Sequence, residues 1–303
     1  MATAEFIEQP ALEVDDADFS SSEYSSTLES STHSITSSIV YYVYENGRRY
    51  HRFQEGKYML PNDEREQDRL DLYHHLQLLS LKGSLYVAPI GEKPQHILDC
   101  GTGTGIWALD MGELFPSAEV VGVDLSPIQP DWVVPNVRFE VDDLELDWTF
   151  RKDYFDLIHS RNIAQSVRDW PKYLEQIFLF VLAETAVHSD DGTLACTSIE
   201  TYFACFIKSL SGANLIHQFK QPWGGWPKNP DMKRAGYIAA LTSATGLQSY
   251  AMAPLTRYLG MSSDEVVKLC NSAQTEIETK KVHSYQIMWH VVGRKPETKT
   301  EKE

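Results

Sequence analysis

Apolar residues fall into two spacings along the chain. After Pro94 come five short apolar runs, Gln95–Cys100, Glu119–Asp124, Asn136–Val141, Tyr154–His159 and Leu179–Ala183. Their length and their content of Val, Ile and Phe are those of buried strands. Between them the period changes. Ile106, Trp107, Leu109, Met111 and Leu114 recur at helical spacing directly after the first run, and Trp170 to Phe178 predicts a helix after the fourth. Strands alternating with helices predict an α/β fold built on a parallel sheet with helices on both faces. Upstream, Asn62 is a good helix cap, with Asp63, Glu64 and Glu66 at the positive end of the dipole and Leu72, Leu76 and Leu79 as an apolar stripe. Gly83–Pro94 is a loop. Downstream, Thr193–Ser249 reads as mainly helical, broken by the loop Gln221–Lys228, and the last strands are expected at Leu247–Met252 and His283–Val292, the latter buried on both sides. No internal repeat is present.

The ends differ from this core. Met1 to Ser38 is acidic and serine-rich and buries too little to offset its ordering entropy, so it is expected to be disordered, or else to be a phosphorylated regulatory tail. From Ile39 the composition turns aromatic, with Tyr41, Tyr42, Tyr44, Tyr50, Phe53 and Tyr58 before Pro61. The expected division is therefore a disordered tail over 1–38, an extension with a helix over 39–94, a main domain over 95–296, and a disordered end over 297–303.

Charge narrows the partners. The 303 residues carry a net charge of −16, which leaves no footprint for nucleic acid and repels anionic lipid. No run approaches the roughly 18 apolar residues of a membrane span, and the first residues lack the basic and apolar regions of a secretory signal. The four cysteines, Cys100, Cys196, Cys205 and Cys270, form no metal spacing. Reduced thiols in the cytoplasm or nucleus fit best.

Candidate chemistry gathers at the strand ends. His96 to Gly105 passes from strand to a Gly101-Thr102-Gly103-Thr104-Gly105 turn that opens a helix. Such a turn lets backbone approach a ligand, and the helix presents free N–H groups to a carboxylate or phosphate. A dinucleotide fingerprint would place its third glycine where Ile106 stands, and no tyrosine has a lysine four residues later, so a nicotinamide-dependent dehydrogenase is disfavoured. Asp99 precedes the turn. About twenty residues on, the second strand ends in Asp124 and Leu125, where an acid either grips ribose hydroxyls or is simply solvated.

Together these segments resemble motifs I and II of class I S-adenosylmethionine-dependent methyltransferases. The resemblance implies that Asp99, Gly101, Thr102, Gly103, Gly105, Asp124 and Leu125 bind S-adenosylmethionine. Of Asp142, Asp143 and Leu144 after the third strand, Asp143 is the choice for the adenine amino group, with a capping acid as the alternative. Ser160 and Arg161, ending the fourth strand, are placed beside the methionyl part. Tyr50, Tyr58 and Asn62 either border the pocket or belong to a helix covering the sheet.

A narrower resemblance rests on Gly47–His51, Tyr58–Leu70, Leu98–Trp107, Gly122–Pro130, Ser189–Thr193, Trp226–Lys228 and Gly293–Pro296, and covers about Tyr41 to Pro296. These stretches are similar to the fungal LaeA-like methyltransferases. The family implies a seven-stranded sheet whose last strand is antiparallel. Its members are linked to secondary metabolism, some as tailoring enzymes and others as regulators that associate with velvet-type proteins. One departure stands out. A Leu-x-Pro-Gly-Gly turn usual before the fifth strand is missing, and Gln176-Ile177-Phe178 runs straight into Leu179-Phe180-Val181-Leu182.

The methyl acceptor is expected to be a small apolar or aromatic molecule, touched by Tyr50, Tyr202, Phe203, Trp223 and Trp226. Exposed indoles in the Gln221–Lys228 loop would be costly without a ligand or partner. A general base is optional, because the sulfonium activates the methyl group. His51, His159 and His188 are candidates, with a core role as the alternative for His159.

Overall fold

The computed structural model describes residues 42–51, 58–163, 165–191, 215–279 and 282–295. The tails expected to be disordered lie outside them, as do Tyr202 and Phe203. The first described element is a hairpin of β1 (Tyr42–Glu45) and β2 (Arg48–His51). Asn46 and Gly47 turn it with φ of 52° and 72°, the pair of left-handed residues that a tight hairpin requires. Arg48 then forks onto Asp63, with Nε 2.5 Å from Oδ2 and Nη2 2.9 Å from Oδ1.

Helix α1 (Glu64–Ser80) follows, and its cap is Asp63 rather than the expected Asn62. The Asp63 side chain accepts from the Glu66 N–H at 3.1 Å. Asn62 is held elsewhere: its own N–H donates to the Arg49 carbonyl and its Oδ1 accepts from Arg49 Nε.

The main sheet contains β3 (His96–Cys100), β4 (Glu119–Asp124), β5 (Val137–Val141), β6 (Phe155–Arg161), β7 (Val181–Asp191), β8 (Leu215–Pro222) and β9 (Tyr285–Arg294), in the order β5-β4-β3-β6-β7-β9-β8. β5, β4, β3, β6 and β7 pair in parallel, and β9 is antiparallel to both its neighbours. The expected seven strands with an antiparallel last strand are thus present. Helix α2 (Ile106–Leu114) follows β3 and α3 (Trp170–Phe180) follows β6. Leu98, Cys100, Val121, Val123 and Ile158 face α3 on one side of the sheet, while Ile97, Val120 and Leu157 face Trp107, Ala108 and Met111 of α2 on the other.

Two expectations about the second half need correction. Leu247–Met252 is not a strand: it lies inside α4 (Pro230–Leu259), and β8 supplies the sixth strand. The reason is small-residue spacing. Ala235 and Ala239 are buried with Leu76, a close approach of α4 to α1 that larger side chains would block. β9 is also less enclosed than expected, since Tyr285 is 51% exposed. A last helix, α5 (Ser263–Glu278), packs Val266 and Cys270 against Met252.

The missing turn before the fifth strand is resolved by a direct junction. Val181 is both the cap residue of α3, at φ −76° and ψ 142°, and the first residue of β7. The register then slips: Phe155 pairs with Val181, but Leu157 pairs with Ala186. Three surplus residues are absorbed as a bulge, so Ser189 to Asp191, expected in a turn, lie in the strand.

Candidate functional site

The in-register pairs Cys100 with Val123 and Cys100 with Ser160 set the geometry of the crevice. The next residues, Asp124, Gly101 and Arg161, leave three adjacent strand ends side by side. Adjacent strands lie about 4.8 Å apart, which puts the backbones of Asp124 and Arg161 about 10 Å from each other across the turn.

The turn itself is tightly fixed. The N–H groups of Gly101 and Thr102 both donate to the Val123 carbonyl, at 2.8 and 3.0 Å. Gly101 has a φ of 74°, and a Cβ there would sit 2.4 Å from Ile163 Cγ2. Gly105 caps α2 at a φ of 83°, against the ring of Phe139. Asp99 holds the turn from behind. It is buried, accepts from Thr102 Oγ1 at 2.6 Å and lies 2.7 Å from His159 Nδ1. His159 in turn stacks on Trp107 with ring centroids 3.7 Å apart. His159 is buried in this stack and lines neither cavity.

Asp124 faces the crevice and closes the other side of the turn. Its Oδ2 accepts from the Gly103 N–H and its Oδ1 from the Ser126 N–H, both at 2.9 Å. Each oxygen keeps a further lone pair, as a ribose diol requires. Burial pushes the Asp124 carboxyl above the usual range, against the lowering effect of the Ser126 and Gly103 N–H groups. Gln129, which sequence reasoning passed over, ties the turn to the loop after β4 by donating to the carbonyls of Gly103 and Ser126.

The crevice is further lined by Tyr58, Leu125, Asp142, Asp143, Leu144 and Arg161, with about 940 Å³ of open space. Burial and the nearby Asp124 charge push the Tyr58 phenol well up, so it stays protonated as a donor. Asp143 also caps its own turn, accepting from the Glu145 N–H at 3.0 Å. Ser160 is buried and shares a 2.5 Å hydrogen bond with the Tyr173 hydroxyl. Asn62 is buried behind the crevice, its Nδ2 3.5 Å from Ser126 Oγ. An acceptor for a diol, a protonated phenol, N–H groups at a helix start and, among the described residues, one cation fit an adenosyl amino acid.

A second cavity, with about 870 Å³ of open space, adjoins the first and shares Tyr73 and Asn162 with it. Trp223, Leu247, Tyr250 and Leu255 give it apolar walls, and Arg69 closes one side. The Arg69 charge is neutralised by buried Glu66, with Nη2 2.6 Å from Oε1. Asn162 has a φ of 57°, a left-handed conformation in the residue directly after β6, and its amide lies 3.0 Å from the Tyr250 hydroxyl. Of these residues only Trp223 had been expected. Asn162 directly follows Arg161, which is the signal that could have found it; Tyr73 and Tyr250 sit on helices whose packing the sequence does not reveal.

Of the other candidates, Tyr50, His51 and Trp226 line neither cavity. Tyr50 is buried under the Arg257 guanidinium, which lies 5.2 Å from its ring centroid, and borders neither cavity. The indoles of the Gln221–Lys228 loop are satisfied within the chain: Trp223 Nε1 donates to Gln286 Oε1 at 3.1 Å, and Trp226 Nε1 donates to the Ser284 carbonyl at 3.0 Å. Trp226 also stacks on His283. His51 is buried with its ring 5.5 Å from that of Tyr58, and His188 stands opposite His159 on β7. Among the described residues no cluster suits a metal ion, and no helix is long and apolar enough to cross a membrane.

Comparison with known proteins agrees with this geometry. A family model described as a methyltransferase domain matches residues 72–202. The chain is 38% identical to the methyltransferase pytC of Aspergillus terreus, covering 88% of this chain and 92% of that protein. It is 33% identical to the secondary metabolism regulator LAE1 of Cochliobolus heterostrophus, covering 84% and 94%. It is also 31% identical to the protein-methionine methyltransferase laeA of Emericella nidulans, covering 83% and 76%. With the seven-stranded sheet and the glycine turn against Asp124, the chain belongs to the LaeA-like family of S-adenosylmethionine-dependent methyltransferases.

Proposed function

We propose that this enzyme methylates a small apolar or aromatic molecule of secondary metabolism, bound in the second cavity. The observation that carries the reading is the confluence of the two cavities at Tyr73 and Asn162, which brings an acceptor within reach of the cofactor crevice. S-adenosylmethionine, when bound, supplies a methyl group already activated by its sulfonium. The chain's own task is alignment and exclusion of water, and proximity of this kind is worth roughly 7 to 11 kcal/mol. In this reading Asp124 holds the ribose, Asp143 and the Leu144 N–H meet adenine, and Gly101, Gly103 and Arg161 face the amino-acid tail. Tyr73, Tyr250 and Trp223 flank the acceptor. Residues 39–94 form the acceptor-side extension and 95–296 the catalytic domain, in a cytoplasmic protein.

The test is chemical. Metabolites of a deletion strain should include a compound lighter than its parental counterpart by one methyl substituent, and purified full-length protein with S-adenosylmethionine should convert one into the other. Identical metabolite profiles, with no turnover of any strain extract, would sink the proposal.

A second reading is favoured by the similarity to relatives named as regulators of secondary metabolism. In it the chain acts through a velvet-type protein partner, in the nucleus as well as the cytoplasm, with weak activity on small molecules. Recovery of velvet-type proteins on the tagged full-length chain, together with an extract that offers no acceptor, would favour it over the first.

A further inference from the structure

Arg161 is the one cation lining the cofactor crevice among the described residues. Its charged neighbours there are the acids Asp124, Asp142, Asp143 and Glu145. It forms no ion pair with any described residue. Its side-chain partner is His74 of α1, with Arg161 Nη1 3.1 Å from His74 Nδ1. On its other side, His74 Nε2 lies 2.8 Å from Asp110 Oδ2 of α2. A guanidinium only donates, so His74 Nδ1 must be the acceptor and the ring proton sits on Nε2, donated to Asp110. The imidazole is buried, and its tautomer is fixed by the carboxylate behind it.

We propose that Arg161 binds the carboxylate of the cofactor's amino-acid tail, and that His74, oriented by Asp110, is the positioning residue that aims the guanidinium. This rests on the reading of the crevice as the S-adenosylmethionine site. Three observations support it. A carboxylate entering a crevice walled by acids needs one positive charge, and among the described residues Arg161 is the one present. The guanidinium has five N–H donors, of which the contact with His74 uses one, so the planar fork remains available for bidentate binding. Arg161 also stands about two strand spacings, or about 10 Å, from Asp124, on the opposite side of the glycine turn. A nucleoside gripped at Asp124 would extend its tail across the turn toward Arg161.

The arrangement gives α1 a part in binding. Asp71, three residues before His74, accepts from Thr104 Oγ1 of the glycine turn at 2.6 Å. The helix from the extension is thereby tied to both the turn and the clamp, so α1 orders the tail-binding end of the crevice.

Calorimetry on the full chain with two probes tests this: S-adenosylhomocysteine, which carries the tail, and 5′-methylthioadenosine, which lacks it. The wild type should bind the tailed ligand more tightly. Arg161→Met should weaken S-adenosylhomocysteine at least tenfold and leave methylthioadenosine within twofold, which also shows that the variant is folded. His74→Leu should lower the same ratio severalfold. His74→Asn, whose Oδ1 can take the place of Nδ1, should restore most of it. Equal weakening of both probes, or no change in their ratio, overturns the clamp while leaving the cofactor site intact. Failure of the wild type to bind either probe would overturn the site itself, and the clamp with it.

Discussion

The backbone N–H of Gly103 donates to Asp124 Oδ2 at 2.9 Å, so the acid that ends β4 and the turn that ends β3 form one unit. Asp124→Ala removes the acceptor for both Gly103 and Ser126 as well as the proposed ribose contact. A hydrogen bond to a charged group is worth about 1.5 to 3 kcal/mol. S-adenosylhomocysteine affinity, measured by calorimetry, should therefore fall at least tenfold. Unchanged binding would show that the nucleoside is held elsewhere.

The same carboxylate sets a pH dependence whose two parts run in opposite directions. Burial raises the Asp124 pKa in the folded chain. As pH falls, the folded state takes up this proton before the unfolded state does, at about 3.9. This group's contribution to stability is therefore fully present below the unfolded pKa and is lost as pH rises through the folded one. Binding of a diol needs the ionised form, so affinity should drop as pH falls through a value above that of an ordinary aspartate. A titration of S-adenosylhomocysteine affinity from neutral pH downward should show this loss, and Asp124→Asn should flatten the curve.

Gly101 meets two demands at once. Its φ of 74° is strained for any residue with a Cβ, and that Cβ would lie 2.4 Å from Ile163 Cγ2. Left-handed strain costs about 1 to 2 kcal/mol and overpacking about 1 to 3. Gly101→Ala should thus destabilise the fold by about 2 to 5 kcal/mol in urea unfolding. Adding Ile163→Ala should recover the part due to overlap but not the backbone part. Full recovery in the double variant would mean that the turn tolerates a side chain, contrary to its geometry.

Where local chemistry decides conformation, the sequence was readable. Strand ends carrying Asp99, Gly101, Asp124 and Arg161 lie where their apolar runs place them, because a strand buried on both faces has few other solutions. The Asn46-Gly47 pair between β1 and β2 is a local signal of the same kind, an Asn-Gly turn that closes a hairpin. Long-range packing was less legible. Leu247–Met252 has the composition of a strand, yet the small residues of α4 let that helix press onto α1, and the tertiary contact overrides local preference. The same packing brings Tyr73, Tyr250 and Arg69 together around the second cavity, and no spacing along the chain encodes that meeting. The indole N–H groups of Trp223 and Trp226 likewise find their partners at long range. Their partners, Gln286 and the Ser284 carbonyl, lie about sixty residues away, separations of 63 and 58.

The second cavity can be closed without touching the first. Ala251 lines it from α4 and does not line the cofactor crevice. A tryptophan there would project into space now bounded by Leu247, Leu255 and Trp223, and a helix interior accepts it at small intrinsic cost. Ala251→Trp should leave S-adenosylhomocysteine affinity within about twofold, the ordinary scatter for a surface-like change of roughly 0.5 kcal/mol. A deletion strain complemented with this variant should fail to produce the methylated metabolite and should accumulate its precursor. Asn162 and Tyr250 provide the contrast, because they stand at the shared edge. Tyr250→Phe removes only the hydroxyl that lies 3.0 Å from the Asn162 amide, so it should raise the acceptor KM severalfold with less effect on kcat. If the Ala251→Trp strain makes the methylated product at the parental level, the acceptor does not occupy this cavity. The confluence at Tyr73 and Asn162 would then be a packing defect rather than the route by which acceptor meets donor.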